Sequence, residues 1–286
     1  MLFLEILKAV FLGIVEGITE WLPVSSTGHM ILLDEFIKLD VSDSFKEMFF
    51  VVIQLGAICA VPIFFFDKLN PFSHKKSDSE KKSTWSLWLK VLVGVIPAGV
   101  IGLLFDDFFD EHFYNDYVDY VVVSIALIVY GIAFILIEKL KNSKSSGQGS
   151  YRVETVNELT YKDAMIMGAF QMLSLIPGTS RSGSTILGGM LSGVSRTASA
   201  EFSFFMAIPV MLGASLLKIF KFFYEGNSVT QDEAILLAVG ILVSFLVSFF
   251  AIKFLMDFVK KNTFVPFGIY RIILGAVVIG YFLITK

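Results

Sequence analysis

Six stretches of this chain are apolar for about 20 residues, the length an α-helix needs to cross the hydrocarbon of a bilayer. They are Phe45–Phe66, Trp85–Phe105, Val118–Ile137, Phe202–Phe223, Ala234–Met256 and Phe264–Ile284. Backbone in lipid must satisfy its own hydrogen bonds, so these runs point to an all-α integral membrane protein with six transmembrane helices. Composition agrees: 55% of the 286 residues are hydrophobic and 30 are Phe, while only 17% are charged, against roughly 25% in an average soluble domain. Mean hydropathy is +0.74. A disordered chain, a collagen-like chain and a disulfide scaffold are excluded. The net charge of -3 implies no broad basic face and no nucleic-acid partner. The single cysteine, Cys59, lies in an apolar run, so no internal disulfide forms and a buried structural thiol is expected. The opening MLFLEILKAVFLGIVEG has no basic n-region and no small-residue cleavage site, so it is not read as a removable signal peptide.

Two further apolar regions are broken in the middle. Leu2–Leu39 is interrupted at WLPVSSTGH (21–29), and Ala164–Val194 at PGTSRSGS (177–184). Their flanks are short for full spans, which suggests two re-entrant helix–loop–helix hairpins, a form tolerated at membrane depth only where protein or water covers it. The Lys/Arg distribution orients the chain. Residues 67–84 carry Lys68, Lys75, Lys76, Lys81 and Lys82, and residues 138–162 carry Lys139, Lys141, Lys144, Arg152 and Lys162. Residues 106–117 carry none but hold Asp106, Asp107, Asp110, Glu111 and Asp116. The first two loops are expected inside and the acidic one outside. Residues 224–233 then fall outside, Lys260 and Lys261 inside, and both termini outside. The first hairpin enters from outside, the second from inside, and their polar tips meet near the midplane.

The halves match weakly. Pro23 and Pro177 lie 154 residues apart, as do Glu47 and Glu201, and Gly131 is paired with Gly280 at an offset of 149. One hairpin plus three crossings per half gives an inverted-topology repeat: 1–140 (hairpin 2–39 and three spans), a cytoplasmic linker 141–162, and 163–286 (hairpin 164–194 and three spans).

Charge at bilayer depth costs about 2.5–3.5 kcal/mol by insertion scales, so it needs a reason. Glu16 and Glu20 are spaced i, i+4 and share one helix face. A divalent cation or a cationic partner such as Arg181 would relieve their repulsion. Ser25, Ser26, Thr27, Gly28 and His29 follow, at the start of the returning half-helix, where free N–H groups form an anion site. One of the serines caps that helix on the plainer reading. Ser26 is a candidate nucleophile or phosphate donor, with His29 as acid or base. The other histidines, His74 and His112, lie in charged loops and read as solvated. The second tip offers Ser180, Arg181, Ser182, Gly183 and Thr185, a guanidinium among hydroxyls and glycines that reads as an oxyanion cradle. Elsewhere, Gly13–Gly17 and Gly189–Gly193 read as close-packing GxxxG pairs. Lys90, Lys253 and, by default, Arg271 read as snorkelling, and Asn142–Ser150 as a flexible linker.

EGITEWLPVSSTGH at 16–29 and PGTSRSG at 177–183 resemble the undecaprenyl-diphosphate phosphatase family of the bacitracin-resistance type. VVIQLGAICAV (51–61), VIPAGVIGLLF (95–105), GGMLSGVSRTASAEFSF (188–204) and IYRII (269–273) fit as well, so the resemblance runs nearly end to end. It implies a multi-pass enzyme of the bacterial cell membrane that removes the terminal phosphate of undecaprenyl diphosphate. Such an enzyme recycles the lipid carrier for cell-wall synthesis and confers bacitracin resistance. It also implies a divalent cation (Mg or Ca), the same six-span fold, a site opening to the outer face, and functional roles for Glu16, Glu20, Ser26, His29, Arg181 and Thr185. Glu16 and Glu20 would hold the cation. The nucleophile is either Ser26 or a water activated by Glu20 or His29. Membrane lipids surround the protein, and self-association as a homodimer is left open. The rival readings are a polyprenyl-phosphate lipid transporter or flippase using the same site, and a non-catalytic lipid-binding scaffold.

Overall fold

The computed structural model describes residues 2–105, 119–144 and 151–285. The acidic segment 106–117, His112 and most of the linker at 142–150 lie outside the described residues. The described chain is all helical apart from one isolated bridge between Val153 and Val194. We number its α-helices α1 (Leu2–Thr19), α2 (Ser26–Asp34), α3 (Asp43–Phe64), α4 (Phe66–Leu69), α5 (Asp78–Leu104), α6 (Asp119–Lys144), α7 (Tyr161–Gln171), α8 (Arg181–Leu191), α9 (Arg196–Tyr224), α10 (Gln231–Val259) and α11 (Val265–Thr285). Six of them, α3, α5, α6, α9, α10 and α11, are long and apolar enough to cross a membrane. The protein is therefore a multi-pass membrane protein, and its outward face carries the apolar side chains that lipid requires, among them Leu92, Ile96, Leu242 and Phe250.

The spans begin where the sequence supplies caps. Ser42 accepts the Phe45 N–H and Ser195 that of Ala198. Capping boxes open α5 (Ser77, Glu80), α7 (Thr160, Asp163) and α10 (Thr230, Glu233). Each box satisfies two N–H groups that an uncapped end would leave bare. The box on α5 starts that helix at Asp78, well before the apolar run at Trp85.

The packing is interleaved. Helix α1 lies along α10, α7 along α5, α3 between α9 and α10, and α6 along α11. Glycines set the closest approaches. A Cβ at Gly13 would meet the Gly240 carbonyl at 3.0 Å, and one at Gly17 the Ser244 carbonyl at 2.8 Å. Across the molecule, a Cβ at Gly168 would clash with the Gly94 carbonyl. Gly131 and Gly268 face each other reciprocally, each Cβ position lying 2.6 or 2.7 Å from the other's carbonyl, whereas Gly280 has nothing within 4 Å. Gly168→Ala is expected to destabilise by about 1–3 kcal/mol, because the contact is with rigid backbone; a lowered thermal midpoint in detergent checks it.

Several expectations are corrected. Cys59 is exposed, because the buried face of α3 runs through Val52, Ile53, Gly56, Ala57 and Ala60. Lys90 is buried and donates to the Asn157 carbonyl at 3.3 Å, while Lys253 is exposed as expected. Gly189 packs against Ser199, but Gly193 has φ +92° and turns the chain beside Arg152, so it makes no helix crossing. Arg271 does not snorkel, as described below.

Candidate active site

Helix α1 ends at Thr19, and the chain turns through Glu20–Val24 into α2. Helix α7 passes into a short 3₁₀ turn (Met172–Leu175) and then into α8 at Arg181. The two breaks share an unusual geometry. Ser25 has φ +73° and Ser180 φ +70°, and among the described residues these are the two non-glycines in the left-handed region. Such backbone costs about 1–3 kcal/mol and persists only where the surroundings enforce it. Each serine caps the helix that follows: Ser25 Oγ accepts the Gly28 N–H at 3.2 Å, and Ser180 Oγ the Gly183 N–H at 3.1 Å. The capping reading thus holds for Ser25, and Ser26 is left free of that duty.

Arg271, from α11, ties the tips together. It is fully buried and donates to the carbonyls of Pro23 (3.2 Å), Gly178 (2.9 Å) and Thr179 (3.0 Å). Its guanidinium also lies over the Tyr130 ring, 5.2 Å from the centroid. A planar fork with five donors can span two loops in this way.

Glu20 is the node of the site. Its Oε2 accepts the Ser26 hydroxyl at 2.8 Å and its Oε1 the Arg181 guanidinium at 2.7 Å. Ser26 and Arg181 are the first residues of α2 and α8, so one carboxylate joins two helix N-termini whose N–H groups favour an anion. Arg181 also donates to the Ser203 carbonyl at 2.9 Å and sits over Trp21, 5.7 Å from the ring. Glu16, one turn before Glu20, is buried, and its Oε1 has no partner among the described residues.

His29 is held at both nitrogens. Nδ1 lies 2.7 Å from the Ser25 carbonyl and Nε2 2.7 Å from the Tyr270 hydroxyl. A carbonyl can only accept, so Nδ1 carries the proton; in the neutral ring Nε2 is then the acceptor of the Tyr270 hydroxyl. His29 therefore does not contact Ser26; the base beside Ser26 is Glu20. Ser182 Oγ donates to the Glu20 carbonyl at 3.3 Å, while Thr185 is buried and donates to the Arg181 carbonyl at 2.8 Å. Gly183 presents its N–H to the Ser180 cap, and Thr27 is exposed on the first turn of α2. The structure thus gathers Glu16, Glu20, Ser26 and Arg181 tightly, with His29 beside them. Tyr270 and Arg271 are additions that sequence reasoning missed.

The profile of the family described as bacitracin resistance protein BacA matches residues 9–277. The chain is 60% identical to an undecaprenyl-diphosphatase of Enterococcus faecalis, with 100% of both chains covered. It is 56% identical to one of Acetivibrio thermocellus over 99% of this chain and 100% of the other. It is 56% identical to an undecaprenyl-diphosphatase 1 of Clostridioides difficile over 98% and 97%. With a family match over nearly the whole sequence and relatives of this identity, the chain belongs to the BacA family of bacitracin resistance proteins.

Proposed function

We propose that this protein is an undecaprenyl-diphosphate phosphatase, hydrolysing the terminal phosphate to give undecaprenyl phosphate and inorganic phosphate. The observation that carries the reading is Glu20, which holds a serine hydroxyl and a guanidinium at two facing helix N-termini. The names of the relatives agree with it. Ser26 Oγ attacks the terminal phosphorus and its proton passes to Glu20. The bond to the bridging oxygen breaks, and undecaprenyl phosphate leaves with the electron pair. Arg181 and the N–H groups of the α2 and α8 first turns stabilise charge on the transferring group. Water then attacks the phosphoserine, its proton passing to His29 Nε2 once Tyr270 lets go; the Ser26 Oγ–P bond breaks, Glu20 returns its proton to Oγ, and inorganic phosphate is released.

The acidic pair fits a divalent cation, Mg or Ca. Glu16 has a buried oxygen without a partner, and Glu16 and Glu20 lie one helical turn apart. Among the described residues no group of three His, Cys, Asp or Glu could hold a metal. Two carboxylates with the rest of the sphere left to phosphate oxygens and water is a common arrangement for Mg. Such an ion would neutralise diphosphate charge.

The architecture belongs to the same proposal: two inverted repeats, 1–140 and 163–286, joined by the 141–162 linker, each with a re-entrant hairpin, the first opening outward. Support comes from paired features. Ser25 and Ser180 share φ and cap. Gly13 on Gly240 mirrors Gly168 on Gly94. Glu47 pairs with Lys218 at 2.7 Å as Glu201 pairs with Lys68 at 2.8 Å.

Purified protein in detergent with Mg or Ca and undecaprenyl diphosphate is expected to release phosphate and, on rapid acid quench, to carry phosphate on Ser26. Ser26→Ala is expected to lose the label and about 10²–10⁴-fold in turnover. Near-normal turnover in that variant would return the attack to water. Lipid binding without phosphate release would favour the transporter.

A further inference from the structure

A groove between α5 and α9 takes no part in the chemistry above. It has a volume of about 560 Å³ and is bounded on one side by Gln171, Ser174 and Leu175, just before the second break. Missing side chains open it: a Cβ at Gly99 or Gly213 would meet nothing within 4 Å, and one at Gly102 only Leu175, at 3.5 Å. Glycines in membrane helices usually bring backbones together, as Gly13, Gly94 and Gly168 do here; Gly99 and Gly213 instead leave room. At the inner end lies Gln171, buried, with both carboxamide atoms lacking a partner among the described residues. A buried amide left bare is costly, so its presence in the lining points to an occupant with a polar end.

The groove adjoins the segment that leads to the site. Leu175, in its lining, lies six residues before Arg181. Pro209 and Val210, on its α9 wall, flank Met211, whose sulfur lies 3.7 Å from Arg181 Nη2. From there the walls run outward along α9 through Gly213 and Ala214. They are overwhelmingly apolar, and a volume of this size falls in the range of ligand pockets. Resting on the phosphatase reading, we propose that this groove binds the isoprenoid tail of the diphosphate substrate. The units nearest the diphosphate lie over Gly99, Gly102 and Gly213, and Gln171 sits at the junction of charged head and hydrocarbon. The glycine openings suit a chain that carries methyl branches, which is wider than a straight acyl chain.

The test fills the groove. Gly99→Leu, Gly213→Leu and the double variant place side chains in open space, so an unshifted thermal midpoint and monodisperse elution are expected. Phosphate release is then measured against the concentration of undecaprenyl diphosphate and of inorganic diphosphate, which carries no tail. The double variant is expected to raise KM for the lipid about tenfold or more, the worth of burying roughly two methylene groups. Its kcat for the lipid, and its rate of release from inorganic diphosphate, stay within about twofold of wild type. A second readout needs no turnover. Undecaprenyl diphosphate with a photoreactive group on its first isoprene unit is expected to label peptides of α5 and α9, and to lose that labelling in the double variant. A folded double variant with unchanged KM, or labelling elsewhere, overturns the groove; the space would then hold a phospholipid acyl chain. Failure of the wild type to release phosphate overturns the phosphatase reading instead, and the labelling still reports on the groove.

Discussion

Glu20→Gln is expected to lower kcat for phosphate release by about 10²–10⁴-fold, the usual worth of a positioned base, while the folded yield stays near that of the wild type. The amide keeps the size of the carboxylate, and its oxygen can still accept from Arg181. What it cannot do is take the Ser26 proton, which in the wild type points at Oε2 over 2.8 Å. Glu20→Asp keeps the base but withdraws it by one methylene, so it can no longer reach Ser26 and Arg181 together, and an intermediate loss is expected. Phosphate release on matched detergent preparations, with thermal midpoints alongside, checks both. Wild-type turnover in Glu20→Gln would remove Glu20 from its role.

Arg271→Met is expected to act first on stability. It leaves the carbonyls of Pro23, Gly178 and Thr179 buried without the guanidinium that holds them. Hydrogen bonds to a charged group contribute about 1.5–3 kcal/mol each, so a loss of about 3 kcal/mol or more is expected, read as a lowered thermal midpoint. Activity falls with it, because the same three bonds set the spacing between the Ser26 and Arg181 helix ends. Arg271→Lys is the informative partner. It restores the charge but not the planar fork, so it is expected to recover part of the stability and little of the turnover. Full rescue by lysine would mean that charge alone matters at this position.

The long apolar runs were readable because an apolar stretch of about 20 residues suits little besides a membrane span, and every predicted span lies on an observed helix apart from residues at its ends. The ends moved where caps, not hydropathy, decide them: the first two turns of α5 are polar and read as loop until the Ser77–Glu80 box is seen. The two tips were readable because charge and hydroxyls in a broken apolar segment are rare. Arg271 was not, since its partners are backbone carbonyls and any residue type supplies those. Tyr270 was hidden for a related reason: its partner is 241 positions away, and an aromatic residue in a span is ordinarily packing. Cys59 went wrong because an apolar neighbourhood in a membrane helix does not separate the lipid face from the protein face.

The interleaving of α1 with α10 bears on how the chain is made. Helix α1 leaves the ribosome first, yet the helix it lies against begins at Gln231. Glu20 must wait for Arg181, 161 positions later in synthesis. Until then α1 has only α2 and α3 to lie against. The larger part of its packing surface and the partner of Glu20 both come from segments made much later, so the reactive centre closes only when distant parts of the chain have come together.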